Sequence, residues 1–219
     1  YSRINNFAVR EARGEVVCLL NNDTEILHPD WLATLLGFLD QPGVGVVGAK
    51  LLFPNDTVQH AGVVMGMLGI AGHVFSGIGR DDPGYGRWAA LLREYCAVTA
   101  ACLLVRRSTF MDVGGLDESS LTVAFNDVDF CLRVRDRGLS VLYVPDVVLY
   151  HHESATRGCD SAPEKAERFE RECRVIAERW PEVVRDDPFY SPNLTLEAWD
   201  CGLAKPPRGA RCWSGASGA

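Results

Sequence analysis

At 219 residues, with 47% hydrophobic and 23% charged side chains, the chain is long enough to bury one sizeable core and has the composition of an ordinary globular domain. Its formal net charge of −7 argues against a nucleic-acid surface, which needs a basic stripe, so an anionic ligand would call for a metal or a small local pocket. No apolar run approaches the roughly 18–20 residues that cross a bilayer, and the expected location is the cytoplasm.

Ile4, Phe7, Ala8 and Ala12 recur at helical spacing and Gly14 follows at the C-cap, so residues 1–14 read as a helix. With no strand ahead of that helix, the chain reads as a fragment of a larger domain. Residues 16–20 are continuously apolar, the pattern of a parallel-sheet strand buried on both faces. The run stops in Asn21, Asn22, Asp23, Thr24 and Glu25. Open α/β sheets bind ligands outside the carboxyl ends of their strands, so these residues stand where a metal or phosphate would be met. The same residues are also ordinary turn and cap chemistry ahead of a helix at Pro29, and position alone does not separate the two readings.

Residues 29–40 read as that helix, with Trp31, Leu32, Leu35, Leu36 and Leu39 as its apolar stripe. Two short strands, 44–48 and 50–53, follow Pro42-Gly43. Glycine recurs so often over residues 62–86 that the stretch reads as a long mobile loop over the site, or as irregular structure without a function. Residues 102–105 form a buried strand, preceded by Ala97, Ala100 and Ala101. Those small side chains would let a bulky ligand, or a packed helix, approach the backbone.

The next helix begins at Asn126 and Asp127 and ends at Gly138. Asp129 has Arg133 four positions on as a helical partner, which leaves Asp127 as the chemical candidate or as a simple N-cap. Residues 140–144 and 147–150 read as two more strands. The second runs into His151, His152, Glu153 and, further on, Arg157, a polar cluster in a chain with only five histidines. A charged amphipathic helix covers residues 164–180, and after it the periodicity fails. The expected division is a catalytic part over 1–182 and an irregular extension over 183–219 with a disordered tail. Eight cysteines are scattered without a C-x-x-C pair and read as free thiols.

Taken together, Ile4-Asn5-Asn6-Phe7-Ala8, Leu20-Asn21-Asn22-Asp23-Thr24-Glu25, residues 125–133 and Tyr150-His151-His152-Glu153-Ser154 resemble glycosyltransferase family 2, and within it the rhamnosyltransferase-like branch. The resemblance spans residues 1–180 in order. It implies a GT-A fold, an α/β architecture with a mixed, mostly parallel sheet flanked by helices, here without its N-terminal nucleotide-binding part. It also implies inverting transfer of a sugar, with rhamnose as one candidate, from a nucleoside-diphosphate sugar to a glycan or lipid-linked acceptor of cell-surface polysaccharide. Peripheral membrane association would go with a lipid-linked acceptor.

By the same resemblance, Asp23 matches the metal-binding carboxylate of a D-x-D motif whose first acid is Asn21 here. Asp127 matches the catalytic base of an E-D motif whose acid is replaced by Asn126. His151 matches a further metal ligand ahead of His152, and Asn21, Asn22, Ala100, Ala101, Asn126 and Arg157 fall to substrate binding. The cofactor implied is Mg²⁺ or Mn²⁺, Mn²⁺ better tolerating a histidine. The competing readings are a metal-dependent nucleotidyltransferase or pyrophosphorylase and a degenerate, non-catalytic glycan-binding module. Without the nucleotide-binding part, the 219-residue chain alone is expected to bind nucleotide sugars weakly.

Overall fold

The computed structural model describes residues 1–152 and 163–208. In chain order the elements are α1 (Ser2–Glu11), β1 (Val16–Leu20), β2 (Thr24–Ile26), α2 (Trp31–Leu39), β3 (Val44–Leu52), β4 (Val58–His60), β5 (Val63–Met65), β6 (Ala71–His73), β7 (Arg93–Glu94), β8 (Cys102–Arg106), α3 (Arg107–Asp112), α4 (Asn126–Arg135), β9 (Ser140–His151), α5 (Pro163–Arg179) and α6 (Pro181–Arg185). The main sheet runs β1-β8-β3-β9-β2, with β4 added to β3 and β7 to β9. Residues alternate across it. Val47, Ala49, Leu51 and Leu104 pack under α2, while Val46, Leu52, Leu103 and Val105 join the larger core with α1 and α4.

The sheet is mixed, as expected, but not mostly parallel. Among the described residues one pairing of the main sheet is parallel, β3 with β9, and the other five are antiparallel. The cause is β8, which enters antiparallel to both β1 and β3 and separates them. Nor is β1 buried on both faces. It stands at the end of the strand order, with Val17 and Leu19 buried and Cys18 and Leu20 exposed. An unbroken apolar run does not by itself reveal how many faces are covered.

The two strands expected over 44–53 are one, and so are the two expected over 140–150. The second apparent break is a bulge: Ala49 pairs with Val144 but Lys50 with Val148, so Pro145, Asp146 and Val147 bulge from β9. A bulge tolerates the proline, which has no N–H for the ladder. On α1 the buried residues are Ser2, Asn6 and Val9, while Ile4 and Phe7 are 70% and 59% exposed. Polar anchors choose that face. The Asn6 amide donates to the Leu116 carbonyl and to Glu118, and accepts from the Leu116 N–H, while the Ser2 hydroxyl donates to the Leu121 carbonyl.

Residues 62–86 are not a loose loop. β5 and β6 pair as a small sheet, and Val63, Val64, Met65, Met67, Val74 and Phe75 are buried. The glycines there serve close approach: a Cβ on Gly62, whose φ is +108°, would lie 2.3 Å from the Tyr95 ring. The division at residue 182 is not a structural boundary either. α6 crosses it, Tyr190, Leu194 and Cys201 belong to the main core, and the Asp187 carboxylate accepts hydrogen bonds from the Met65 and Phe189 N–H groups. Residues 209–219 lie outside the described residues. All six described cysteines are free thiols. Among the described residues no helix is long and apolar enough to cross a membrane.

Candidate active site

The acidic turn is fixed by its neighbours. Past the end of β1, the Asn21 N–H donates to the Ala101 carbonyl at 3.0 Å, and the Thr24 hydroxyl closes the turn on the Asn21 carbonyl at 2.8 Å. The chain then doubles back as β2 and pairs Thr24 with His151 at the end of β9. Two residues distant in sequence meet here: Asp23 Oδ1 lies 3.2 Å from His151 Nε2. His152 turns elsewhere, its ring half exposed and 3.3 Å from the Glu25 carboxylate.

Hydrogen bonding sets the tautomer of His151. Gln59 on β4 donates its amide N–H to the His151 carbonyl at 3.4 Å, which leaves its amide oxygen 2.7 Å from Nδ1. An amide oxygen only accepts, so Nδ1 carries the hydrogen and Nε2 presents a lone pair. Toward that lone pair come the Asn21 amide donor at 3.1 Å and the Asp23 oxygen. Asp23 Oδ1 is buried and has no hydrogen-bond donor. An anionic oxygen facing a ring lone pair is a cradle for a cation, and a histidine whose second nitrogen is held by an amide oxygen is the usual form of a metal ligand. Among the described residues no group of three or more His, Cys, Asp and Glu side chains could hold a metal, so the described residues would supply two ligands. Mg²⁺-type sites in which substrate phosphates and water complete the shell have that make-up.

The opposite wall is the start of α4. Glu172 of α5 is buried and collects the Thr122, Val123 and Ala124 N–H groups and the Thr122 hydroxyl, at 2.8–3.1 Å. Asn126 adds a bond from its amide to the Val123 carbonyl at 2.8 Å. On this clamped loop Phe125 takes φ +59° and the helix begins. Asp127 then accepts from the Ala100 N–H at 3.1 Å and from the Val128 N–H at 2.9 Å, with no basic side chain among the described residues bonded to it. Asp129 is consumed structurally: it is fully buried and takes bonds from Arg133, Arg179 and the Trp180 indole at 2.8, 2.8 and 3.0 Å.

A cleft of about 120 Å³ joins these walls, lined by Tyr1, Asn21, Thr99, Ala100, Ala101, Val123, Asn126, Asp127 and His151. Six residues singled out in the sequence therefore converge there, with Asp23 against His151. Asn22 does not line it and stays on the exposed turn. Arg157 lies outside the described residues. Sequence reasoning missed Gln59, Thr99 and Tyr1, whose hydroxyl donates to the Ala100 carbonyl at 3.1 Å. The signal for Gln59 was present: Gln59-His60 is a polar pair inside an otherwise apolar run, and both side chains are buried.

Comparison with known proteins gives this arrangement a family. The chain is 48% identical over 206 residues to the protein y4gI of Sinorhizobium fredii and 41% identical over 219 residues to the O-antigen biosynthesis protein RfbC of Myxococcus xanthus. Each alignment covers 94% of the chain but only 23% and 16% of the relative, so the chain spans less than a quarter of their length. An N-acetylglucosaminyl-diphospho-decaprenol L-rhamnosyltransferase of Mycobacterium tuberculosis is 35% identical over 82 residues, covering 37% of the chain and 26% of the relative. Two solved structures share the fold. GalNAc-T7 with UDP, GalNAc and Mn²⁺ superposes with a TM-score of 0.60 at 13% identity over 93% of this chain and 41% of that one. The mannosyltransferase PcManGT of Pyrobaculum calidifontis with GDP-Man and Mn²⁺ superposes with a TM-score of 0.53 at 19% identity over 82% and 44%. The architecture is thus the GT-A fold. Since residues 2–114 also match the family described as glycosyl transferase family 2, the chain belongs to glycosyltransferase family 2.

Proposed function

We propose that the chain is the catalytic part of an inverting glycosyltransferase that moves a sugar, with rhamnose the first candidate, from a nucleoside-diphosphate sugar to a glycan or lipid-linked acceptor of cell-surface polysaccharide. The observation that carries this reading is the convergence on one cleft of Asp127, with no basic partner among the described residues, with His151 and the unsatisfied Asp23 oxygen. The O-antigen and rhamnosyltransferase names of two relatives support the substrate class, and the Mn²⁺ in both structural neighbours supports a divalent metal.

In this reading Asp23 and His151 Nε2 would hold Mn²⁺ or Mg²⁺, the ion taking the Nε2 lone pair that otherwise accepts from the Asn21 amide, while Gln59 positions the imidazole through Nδ1. A divalent cation bound there neutralises the charge that develops on the departing diphosphate. Asp127 accepts the proton of the acceptor hydroxyl as its oxygen bonds to the anomeric carbon and the bond to the diphosphate oxygen breaks. Backbone N–H groups from Ala100 and Val128 hold the carboxylate in one orientation for that transfer. Ala100 and Ala101 carry no bulk beyond Cβ and let a sugar ring lie against the cleft floor.

Calorimetric titration of the full-length protein with Mn²⁺ in the presence of UDP or dTDP tests the site. Asp23→Asn and His151→Ala should each weaken Mn²⁺ at least tenfold. Parent-like affinity in both variants would remove the metal from this position. Release of pyrophosphate from a nucleoside triphosphate and a sugar phosphate, without transfer to an acceptor, would favour a nucleotidyltransferase instead.

A further inference from the structure

Thr99 and His151 belong to two cavities at once. Besides the reacting cleft they line a larger pocket of about 330 Å³, whose other walls include Phe53, Leu68, His73, Ser76 and Trp199. That size stands at the low end of the roughly 300–1,000 Å³ of small-molecule sites, enough for a ring but not for an extended lipid. Trp199 is 45% exposed at this pocket although the chain around it is packed on the core. Its backbone carbonyl accepts the Phe75 N–H at 2.9 Å, which ties the segment carrying the indole to the segment carrying His73 and Ser76.

The polar wall is set as firmly. The Thr99 N–H donates to His60 Nε2 at 3.4 Å, so buried, neutral His60 carries its hydrogen on Nδ1. That hydrogen points to His73 Nδ1 at 2.9 Å, which fixes His73 as the tautomer with its N–H at Nε2. The pocket therefore combines an aromatic face with fixed hydroxyl partners. A pyranose has this dual character, weakly positive C–H groups on one face and hydroxyls around the rim, and the electron-rich face of an indole suits the former.

We propose that this second pocket binds the sugar ring of the acceptor, stacked on Trp199 and oriented by His73 and Ser76, with the reacting hydroxyl directed past Thr99 and His151 toward Asp127. The proposal rests on the glycosyltransferase reading above and adds the place of the acceptor ring and the residues that would select it, Trp199, His73 and Ser76. It also gives a function to Trp199 in the stretch beyond residue 186.

Saturation-transfer NMR on the full-length protein, without donor or metal, tests binding apart from turnover. The probes are the methyl glycosides of rhamnose, glucose and N-acetylglucosamine. At least one should receive saturation from the parent, lose it with Trp199→Ala and keep it with Trp199→Phe. Absence of saturation from the parent with all three, or undiminished saturation with Trp199→Ala, overturns the proposal. In turnover with a nucleotide sugar, the ratio of transfer to donor hydrolysis should fall at least tenfold in Trp199→Ala. An unchanged ratio with both rates lowered together would assign the pocket to the donor and also overturn it. A parent that hydrolyses and transfers no donor, yet shows the Trp199-dependent NMR signal, would leave the sugar pocket standing and overturn the enzymatic reading instead.

Discussion

Two carboxylates two positions apart on the first turn of α4 stand in different surroundings. Asp129 is the hub of Arg133, Arg179 and Trp180, whereas among the described residues Asp127 meets only backbone N–H groups and lines the cleft. Asp129→Asn should cost about 2 kcal/mol in urea unfolding, less than the roughly 3–5 typical of a broken buried pair, because both arginines reach solvent. Asp127→Asn should stay within about 1 kcal/mol of the parent in the same experiment, the worth of one altered hydrogen bond. Its rate of transfer should nevertheless fall by about 10²-fold or more. The reverse pattern would exchange the two roles. The i,i+4 partner of Asp129 was legible in the sequence, which is why Asp127 stood out. What could not be read was the pairing of Gln59 with His151, since nothing local connects a strand residue to an imidazole 92 positions on.

At the level of elements, the active geometry depends on supports that carry no chemistry. The loop before α4 is held by one buried carboxylate, Glu172, through four hydrogen bonds. Glu172→Gln replaces an acceptor oxygen with a donor facing N–H groups, so stability should drop by about 1–3 kcal/mol. Transfer should fall with it at unchanged Mn²⁺ affinity, because the loop positions Asp127 and not the Asp23 side. Equal loss of metal binding would contradict that division. β4 adds a pH-sensitive support. Burial, with lesser contributions from His73 and His151, holds His60 well below the ordinary histidine range. The unfolded chain takes up this proton below about pH 6.5 and the folded protein does not, so the stabilisation is full above that pH and fades as pH falls. Between pH 7.5 and 5.5 the parent should lose about 1 kcal/mol more stability than His60→Gln. Equal losses would mean that His60 protonates in place. Elements themselves were largely legible: α2, α4, α5 and β8 stand close to where periodicity and caps put them. The bulge in β9 was not, since Pro145-Asp146 looks like a turn until the register with β3 is known.

On the scale of the molecule, the sheet brings the ends of β1, β9 and the segment before β8 to one edge, and α4 closes the cleft against them. Family resemblance conveyed the fold and the cleft residues because their motifs are local. Strand direction was not conveyed. The antiparallel insertion of β8 between β1 and β3 joins segments some 85 residues apart, and an apolar run reads alike whichever way it enters. The packing of residues 187–201 on the core was likewise invisible, because buried single residues such as Tyr190 and Leu194 repeat with no period. In the proposed mechanism one carboxylate, Asp127, is the base on the side opposite the departing diphosphate, and a single displacement of that kind inverts the anomeric centre. The most direct measurement is proton NMR of the first product formed by the full-length protein with Mn²⁺, an acceptor glycoside, and dTDP-rhamnose, UDP-glucose and GDP-mannose in turn. The product should have the anomeric configuration opposite to that of the donor turned over; a product with the donor's configuration retained would rule out the single displacement.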